Sequence, residues 1–277
     1  MNKVLIFLIF ILFCYTNLWN QDTPSLEVTY IANEGFMVRA GEKSILIDAL
    51  FKNGFNMYLV PDGSLSQKMQ AAKKPFNRID LILVTHRHGD HFNALMVTNH
   101  LKHNPKCILV AHNQVILRMK KWMTQYNLKK EQIYEINMEF NTNKGLSLNG
   151  IDLNILCLHH IPYIVNGVDR QIKVANLSYI VKLNGYVFFH MGDAIISNSS
   201  DFIKEFPFNE QNINTLFLNY NDRSKITHDI IDQYIKPANI IAMHIPPEEV
   251  ATVTQEFKKL YPDIFIFSES METKVFK

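Results

Sequence analysis

Four consecutive aliphatic residues, Leu81-Ile82-Leu83-Val84, run directly into Thr85-His86-Arg87-His88-Gly89-Asp90-His91. A strand that is apolar at every position, rather than at alternate ones, is buried on both faces. It therefore needs packed structure above and below, which excludes a single sheet with one face open to water. Polar residues that follow such a strand at once sit on a loop anchored by the core, where function tends to collect. At 277 residues the chain is long enough for a layered core of this kind.

The flanking sequence fits alternating sheets and helices. Residues 26–48 read as a meander: Leu26-Glu27-Val28-Thr29-Tyr30-Ile31 alternates, 35–40 follows, and Gly41-Glu42 turns into Ser44-Ile45-Leu46-Ile47. Residues 51–74 are irregular, with a turn at Pro61-Asp62-Gly63 and Ser64 as the expected N-cap of a short helix. A helix over 93–102, a strand over 107–111 and a helix over 113–123 come next. Two hairpins turn at Asn149-Gly150 and Asn184-Gly185, because both residues of Asn-Gly tolerate positive φ. Strands over 215–218, 240–243 and 264–267 then alternate with helices over 227–235 and 246–260. No linker composition interrupts residues 25–277, so one domain is expected there.

A composition of 47% hydrophobic and 19% charged residues with net charge +2 is that of an ordinary globular protein. It supplies no electrostatic case for nucleic acid or for an anionic membrane surface. Residues 1–20 differ. One lysine precedes an apolar run over 4–14, too short for a span of about 20 residues but suited to a signal peptide. The segment is read as a signal peptide or an uncleaved N-terminal anchor, with export to the periplasm or the exterior. Any membrane contact would be through that segment alone. Lipidation of Cys14 is disfavoured, because Leu12-Phe13 before it are not small. Cys107 and Cys157 lie in apolar runs and are expected to be buried thiols, not a disulfide framework.

The loop after the aliphatic run carries ligand chemistry. His86 and His88 are two apart, so in extended chain they point to one side. Gly89 is expected to let the chain turn and bring Asp90 and His91 towards the same cavity. Imidazole nitrogens and carboxylate oxygens are ligands that zinc takes, and a hydrolytic site leaves one position to water.

In these residues the chain resembles the metallo-β-lactamase superfamily, whose signature is His-x-His-x-Asp-His. The resemblance spans about residues 26–267 and includes Leu46-Ile47-Asp48, a later histidine after a strand, Met191-Gly192-Asp193 and a last histidine near the C-terminus. Among its branches the chain looks most like exported bacterial hydrolases with a long connection between the first aspartate and the signature. The resemblance implies an α/β fold, a four-layer αββα sandwich with metals at one edge of two mixed sheets. It also implies two divalent ions, zinc first and manganese or iron as alternatives. The first would be held by His86, His88 and either His160 or His159, the second by Asp90, His91 and His244, with Asp193 bridging.

The residues themselves agree in order and placement. Leu156-Cys157-Leu158 is a strand entering His159-His160, so only one imidazole of the pair faces a given side, and His160 is favoured because it lies nearer the break at Pro162. Asp193 and His244 both follow apolar strands. His190 is read as supporting a ligand instead of being one, and His100, His103, His112 and His228 as surface or capping residues. Two such ions acidify water, so no side-chain nucleophile is required, and Gly-x-Ser-x-Gly is absent. Asp90 is the expected proton carrier.

His88 stands where redox di-iron members carry an acidic residue, and a bridging aspartate is not a β-lactam-hydrolase feature. Hydrolysis of an ester, lactone, thioester or phosphodiester bond of a small molecule is therefore expected. A metal-binding protein without turnover and a β-lactam hydrolase are the alternatives. Phe51, Phe55, Met57, Tyr58, Leu59 and Phe76 form either an apolar lid or packing for a long connection, while Tyr163 and Tyr220 are candidate substrate contacts.

Overall fold

A computed structural model describes residues 25–276 of the chain. The signal or anchor assigned to residues 1–20 lies outside the described residues, and no described helix is long and apolar enough to cross a membrane. The order begins β1 (Leu26–Ala32), β2 (Gly35–Ala40), β3 (Lys43–Ile47), α1 (Gly63–Gln70), β4 (Leu81–Val84), α2 (Ala94–His103), β5 (Ile108–His112), α3 (Asn113–Gln125) and β6 (Ile133–Ile136). It continues β7 (Thr142–Leu148), β8 (Ile151–His159), β9 (Ile164–Val165), β10 (Val168–Asp169), β11 (Ala175–Leu183), β12 (Tyr186–His190), α4 (Ser200–Glu205) and α5 (Phe208–Gln211). It ends with β13 (Thr215–Asn219), α6 (Lys225–Ile230), β14 (Asn239–Met243), α7 (Val250–Leu260), β15 (Phe265–Ile266) and β16 (Thr273–Phe276).

These strands form two seven-stranded sheets, β16-β1-β2-β3-β4-β5-β6 and β15-β14-β13-β12-β11-β8-β7, while β9 and β10 pair apart as a small hairpin. The period-2 pleat divides the side chains of the first sheet between two cores. Phe36, Val38, Ile45, Ile47, Leu81, Leu83 and Val110 face the second sheet, where they meet Ile155, Leu177, Tyr179, Phe188 and Phe217. The alternate residues Met37, Leu46, Ile82, Val84, Leu109 and Ala111 face outward onto helical residues such as Met69, Val97, Leu101 and Val115. Helices cover the far side of the second sheet as well, with Ile203, Ile230, Val253 and Phe257 in the common core. The chain is thus the αββα sandwich expected. The unbroken apolar run of β4 is explained, since each of its residues belongs to one core or the other.

Parallel pairing fixes where the loops collect. β3, β4 and β5 run parallel, as do β12, β13 and β14. The two sets bring their carboxyl ends to one edge of the sandwich, where the sheets are tied directly. Leu177 N donates to Thr85 O at 2.8 Å, and the buried Tyr179 hydroxyl donates to Val84 O at 2.9 Å.

Several local expectations are corrected. Asp62, not Ser64, caps α1, its carboxylate accepting from Leu65 N at 2.7 Å. The helix expected over 227–235 is α6 followed by a π turn at Ile231–Ile235, and the last strand of the second sheet shortens to β15. β6 and β16 were not foreseen; β16 has one buried residue in four and completes the first sheet by pairing with β1 from the far end of the chain. His100 is no surface residue: it is wholly buried, and its Nδ1 meets Met69 O at 2.6 Å, tying α2 to α1. His112 does cap, accepting from Gln114 N at the start of α3.

Candidate metal centre

The residues after β4 leave the sheet edge as two extended steps and a turn. His86 and His88 point the same way, with His86 Nε2 and His88 Nδ1 2.9 Å apart. The chain then turns, His91 N and Phe92 N both donating to His88 O, which brings Asp90 and His91 round to the same side. Gly89 makes this turn without a positive φ. What its missing side chain permits is close approach by Asn53, whose amide nitrogen would lie 3.2 Å from a Cβ there.

Each later element contributes one side chain at its carboxyl end. His160 follows β8, and its Nδ1 donates to Ile161 O at 2.6 Å, which leaves Nε2 as the free lone pair. Asp193 follows β12 by way of Gly192. That glycine has φ +59°, and a Cβ would lie 2.5 Å from Asn176 Oδ1 and 2.7 Å from Thr85 Cβ, so the residue is required on both counts. His244 follows β14 in the left-handed region at φ +65°, as does Asp48 after β3 at φ +44°. Non-glycine residues rarely hold that conformation, and such strain gathers at functional sites.

The result is two adjoining clusters. His86, His88, His160 and Asp193 form one, and Asp90, His91 and His244 the other. Asp193 spans both. Its Oδ2 lies 3.1 Å from His160 Nε2, 3.7 Å from His86 Nε2 and 3.5 Å from His91 Nε2, while Oδ1 lies 3.5 Å from His244 Nε2. Asp90 Oδ2 lies 3.3 Å from His244 Nε2. Every residue proposed as a ligand from the sequence, His86, His88, Asp90, His91, His160, Asp193 and His244, is therefore in one place. Of the adjacent pair it is His160 that joins. His159 stacks on Phe140 with ring centroids 4.0 Å apart.

The donor set fits cations. His91 Nε2, His160 Nε2, His244 Nε2 and Asp90 Oδ1 are buried, and none has a hydrogen-bond partner among the described residues. Buried polar atoms are normally satisfied, so convergent orphans mark atoms shaped for something else. Burial opposes a charge on His91, but Asp193 and Asp90 outweigh it and hold that ring well above the usual histidine range. Burial, with His91 next, holds His86 well below the usual histidine range, and burial with His160 next brings His88 down to about 4, so both offer neutral lone pairs at pH 7. Burial works against the Asp193 charge, but His244, His91 and His160 outweigh it and hold the carboxyl well below its ordinary value. Burial likewise opposes the Asp90 charge, and His91 and His244 again win.

Behind the ligands lies a second layer. Asp48 accepts from Thr85 N at 2.8 Å and Thr85 Oγ1 at 2.5 Å, and its Oδ2 lies 2.9 Å from His91 Nδ1, which aims His91 Nε2 inward. Asn219, at the end of β13, donates to Asp193 Oδ1 at 2.9 Å and to Glu34 Oε1 at 2.8 Å. Glu34 is wholly buried in the β1–β2 turn, where burial and the Asp193 charge push its carboxyl well above the ordinary range. His190 supports the same turn through its Nε2, 3.2 Å from Glu34 O, and burial lowers it to about 4. Glu34 and Asn219 had no signal in the sequence. Only the meeting of two sheets makes them neighbours.

The long connection divides by function. Phe51 and Phe76 are fully buried packing, whereas Phe55 and Met57 are 54% and 47% exposed. Tyr58 lies edge-on to His244 with centroids 4.2 Å apart, and burial, then Tyr220 and Asp193, raise its phenol. Sequence reasoning named Tyr58 only as part of an apolar lid or of packing for a long connection. Tyr220 stacks on His244 at 6.3 Å, while Tyr163 is 62% exposed at the start of the β9–β10 hairpin.

Comparison with known proteins follows the same lines. Residues 43–257 match the family described as Beta-lactamase superfamily domain. A metal-dependent hydrolase of Pyrococcus furiosus is 24% identical over 246 residues, covering 85% of this chain and 92% of that protein. The solved structure of a possible metal-dependent hydrolase from Veillonella parvula superposes with a TM-score of 0.61 at 16% identity, covering 90% of this chain and 98% of that one. Igni18, a metallo hydrolase from Ignicoccus hospitalis, does so with 0.58 at 16% identity, covering 91% and 99%.

Proposed function

The chain belongs to the β-lactamase superfamily, and from that premise we propose that it is a metal-dependent hydrolase of a small-molecule ester, lactone, thioester or phosphodiester. The observation that carries this reading is the pair of clusters joined by Asp193, with four buried nitrogen and oxygen atoms that have no hydrogen-bond partner among the described residues. His86, His88 and His160 would hold one divalent ion and Asp90, His91 and His244 a second, Asp193 serving both. Zinc suits this donor set, and manganese or iron are the alternatives. Ions bound there would polarise the scissile oxygen and make water acidic enough to attack near neutral pH.

The remaining chemistry belongs to the chain. Asp90 is ionised at neutral pH, with Oδ2 turned to His244 and Oδ1 free. Oδ1 accepts the proton of the attacking water and returns it to the leaving group. Tyr58, its phenol raised, stays neutral and donates a hydrogen bond to the oxygen on which charge develops. Asp48 and Asn219 keep His91 and Asp193 in place through both steps.

Lactone, thioester and phosphodiester panels on the protein with its metal content measured test the proposal. Turnover of at least one class, lost in Asp90→Ala with the fold retained, is expected. Silence across the panel at full metal occupancy would show a binding protein without turnover. Export through residues 1–20 belongs to the same proposal, and N-terminal sequencing of the mature protein checks it.

A further inference from the structure

The chain carries four Asn-Gly pairs, at 53–54, 149–150, 166–167 and 184–185. In such a pair the glycine nitrogen, with no side chain to hinder it, can attack the asparagine Cγ. The attack needs the carboxamide and that nitrogen on one side of the asparagine Cα–C bond. Three of the pairs forbid this as they stand, because Asn149, Asn166 and Asn184 are left-handed at φ +50°, +51° and +49°. There ψ is about +30° to +60°, which sets Cβ almost opposite the next nitrogen. Each must leave its turn before it reacts, so the order of reaction is the order in which the turns open.

Two of the turns are held firmly. Asn149 closes the β7–β8 ladder of seven residue pairs, and its amide donates to Asp80 O and to Lys106 O, both at 3.1 Å. Asn184 closes the β11–β12 ladder, in which Tyr179, Val181, Val187 and Phe189 are buried, and its amide packs where a Gly41 Cβ would lie 2.7 Å away. Asn53 is in no hairpin, but Gly54 is buried and its carbonyl accepts from Met57 N and Tyr58 N at 2.8 and 2.9 Å.

Asn166 is held by least. Its turn joins β9 and β10, which pair only through Val165 with Val168 and Ile164 with Asp169. Ile164 and Val168 are 60% and 52% exposed, and a Cβ at Gly167 would meet nothing within 4 Å among the described residues beyond its chain neighbours. The base is tied by Arg170 N to Tyr163 O and by Asp169 Oδ1, which accepts from Tyr163 N and Gln171 N. A two-stranded hairpin outside a larger sheet is marginal in water, and such segments open at little cost. Opening here spares the nearby ligand. Ile161 N donates to Asp193 O at 2.8 Å and His160 bridges to Ala194, so the chain is fixed up to Ile161 and swings from Pro162 onward.

We propose that Asn166-Gly167 is a site of spontaneous deamidation, the pair of the four that converts while the protein stays folded, with water as the only co-reactant. The Gly167 nitrogen bonds to Asn166 Cγ, and its proton, relayed by water, leaves with the side-chain nitrogen as ammonia, closing a succinimide. Water then opens the ring. Breaking the Cγ–N bond gives aspartate, and breaking the bond from the Asn166 carbonyl carbon to Gly167 N gives isoaspartate, whose chain runs on through the side-chain carboxyl. Either product places a negative charge at the tip. The extra backbone carbon of isoaspartate no longer fits a two-residue turn, so β9 and β10 part while His160 stays in place. None of this depends on the hydrolytic reading.

The test is to hold the full-length, metal-loaded protein at mildly alkaline pH and map its peptides over time by mass spectrometry. Asn166 is expected to convert at least about tenfold faster than Asn53, Asn149 or Asn184. In denaturant the four should agree within about threefold, since each then reacts from an open chain. Asn166→Gln should remove the fast conversion and leave the other three rates unchanged. A native order led by another pair, a lead for Asn166 that denaturant does not erase, or an Asn166 that converts only when unfolded overturns the assignment. The converted fraction, separated by its added charge, should keep the metal content of the unconverted one; loss of metal overturns the hinge at Pro162. Trypsin should cut the isoaspartate form after Arg170 at least about threefold faster, and equal cutting overturns the parting of β9 and β10.

Discussion

The two sheets build the candidate metal centre in different ways. The first supplies His86, His88, Asp90 and His91 from a single loop of six residues, braced by Asp48 from the neighbouring strand. The second supplies His160, Asp193 and His244 one at a time from three strand ends, with Asn219 joining Asp193 to Glu34. A contiguous loop carries its geometry in local turn chemistry, so it survives modest shifts of the sheets. Single residues from separate strands are positioned only by sheet register and sheet-to-sheet packing. Asp193, the one side chain common to both clusters, comes from the second kind of scaffold, which makes the shared position the more fragile.

Asp193→Ala tests that asymmetry most severely. Orienting partners of metal ligands typically contribute about ten- to a hundredfold in affinity, and a ligand common to the two proposed ions should exceed this. Loss of both ions by on the order of a hundredfold or more, with turnover abolished, is expected from metal analysis and equilibrium dialysis. Retention of one tightly held ion would show that the loop cluster assembles without the second sheet.

Asp48→Asn tests the loop side. Asp48 accepts from Thr85 N, from Thr85 Oγ1 and from His91 Nδ1, and an amide in its place offers His91 a donor where an acceptor was. The His91 ring then loses its orientation, while His86, His88 and His160 keep theirs. A biphasic metal titration should lose about ten- to a hundredfold in one phase only. Equal weakening of both phases would mean that Asp48 supports the whole edge and that the two clusters are not separable.

The same contrast explains what the sequence disclosed. Leu81-Ile82-Leu83-Val84 announced a strand buried on both faces, and the Asn-Gly pairs at 149–150 and 184–185 announced hairpins; their φ values of +50° and +73°, and +49° and +83°, show why asparagine and glycine stand there. The loop ligands were legible from spacing; strand alternation admitted only one of His159 and His160, and the nearby break at Pro162 favoured His160. Asp193 and His244 were placed by resemblance and order, not by any local signal. Glu34, Asn219 and Tyr58 were missed as site residues because nothing within a few residues of them distinguishes a ligand's neighbour from a turn residue or packing. β16 was missed because three of its four residues are exposed and its partner β1 lies at the other end of the chain.

The smallest expected effect separates scaffold from site. His100 is buried in the helical layer of the first sheet, away from both clusters, and burial lowers it to about 4 despite its bond to Met69 O. Its ordinary value is 6.5, so between pH 6.5 and 4 the unfolded chain binds a proton that the folded one refuses. Its contribution is therefore fully present above pH 6.5 and is lost as pH falls through that window, by about 1–2 kcal/mol between pH 7 and pH 5. Denaturant titrations of the metal-free protein at those two pH values should show the loss in wild type. In His100→Gln it should be smaller by that amount, since glutamine can donate to Met69 O without titrating. An identical pH response in the two proteins would place the acid sensitivity among the clustered imidazoles instead, and the first sheet's helical layer would then be insensitive to acid.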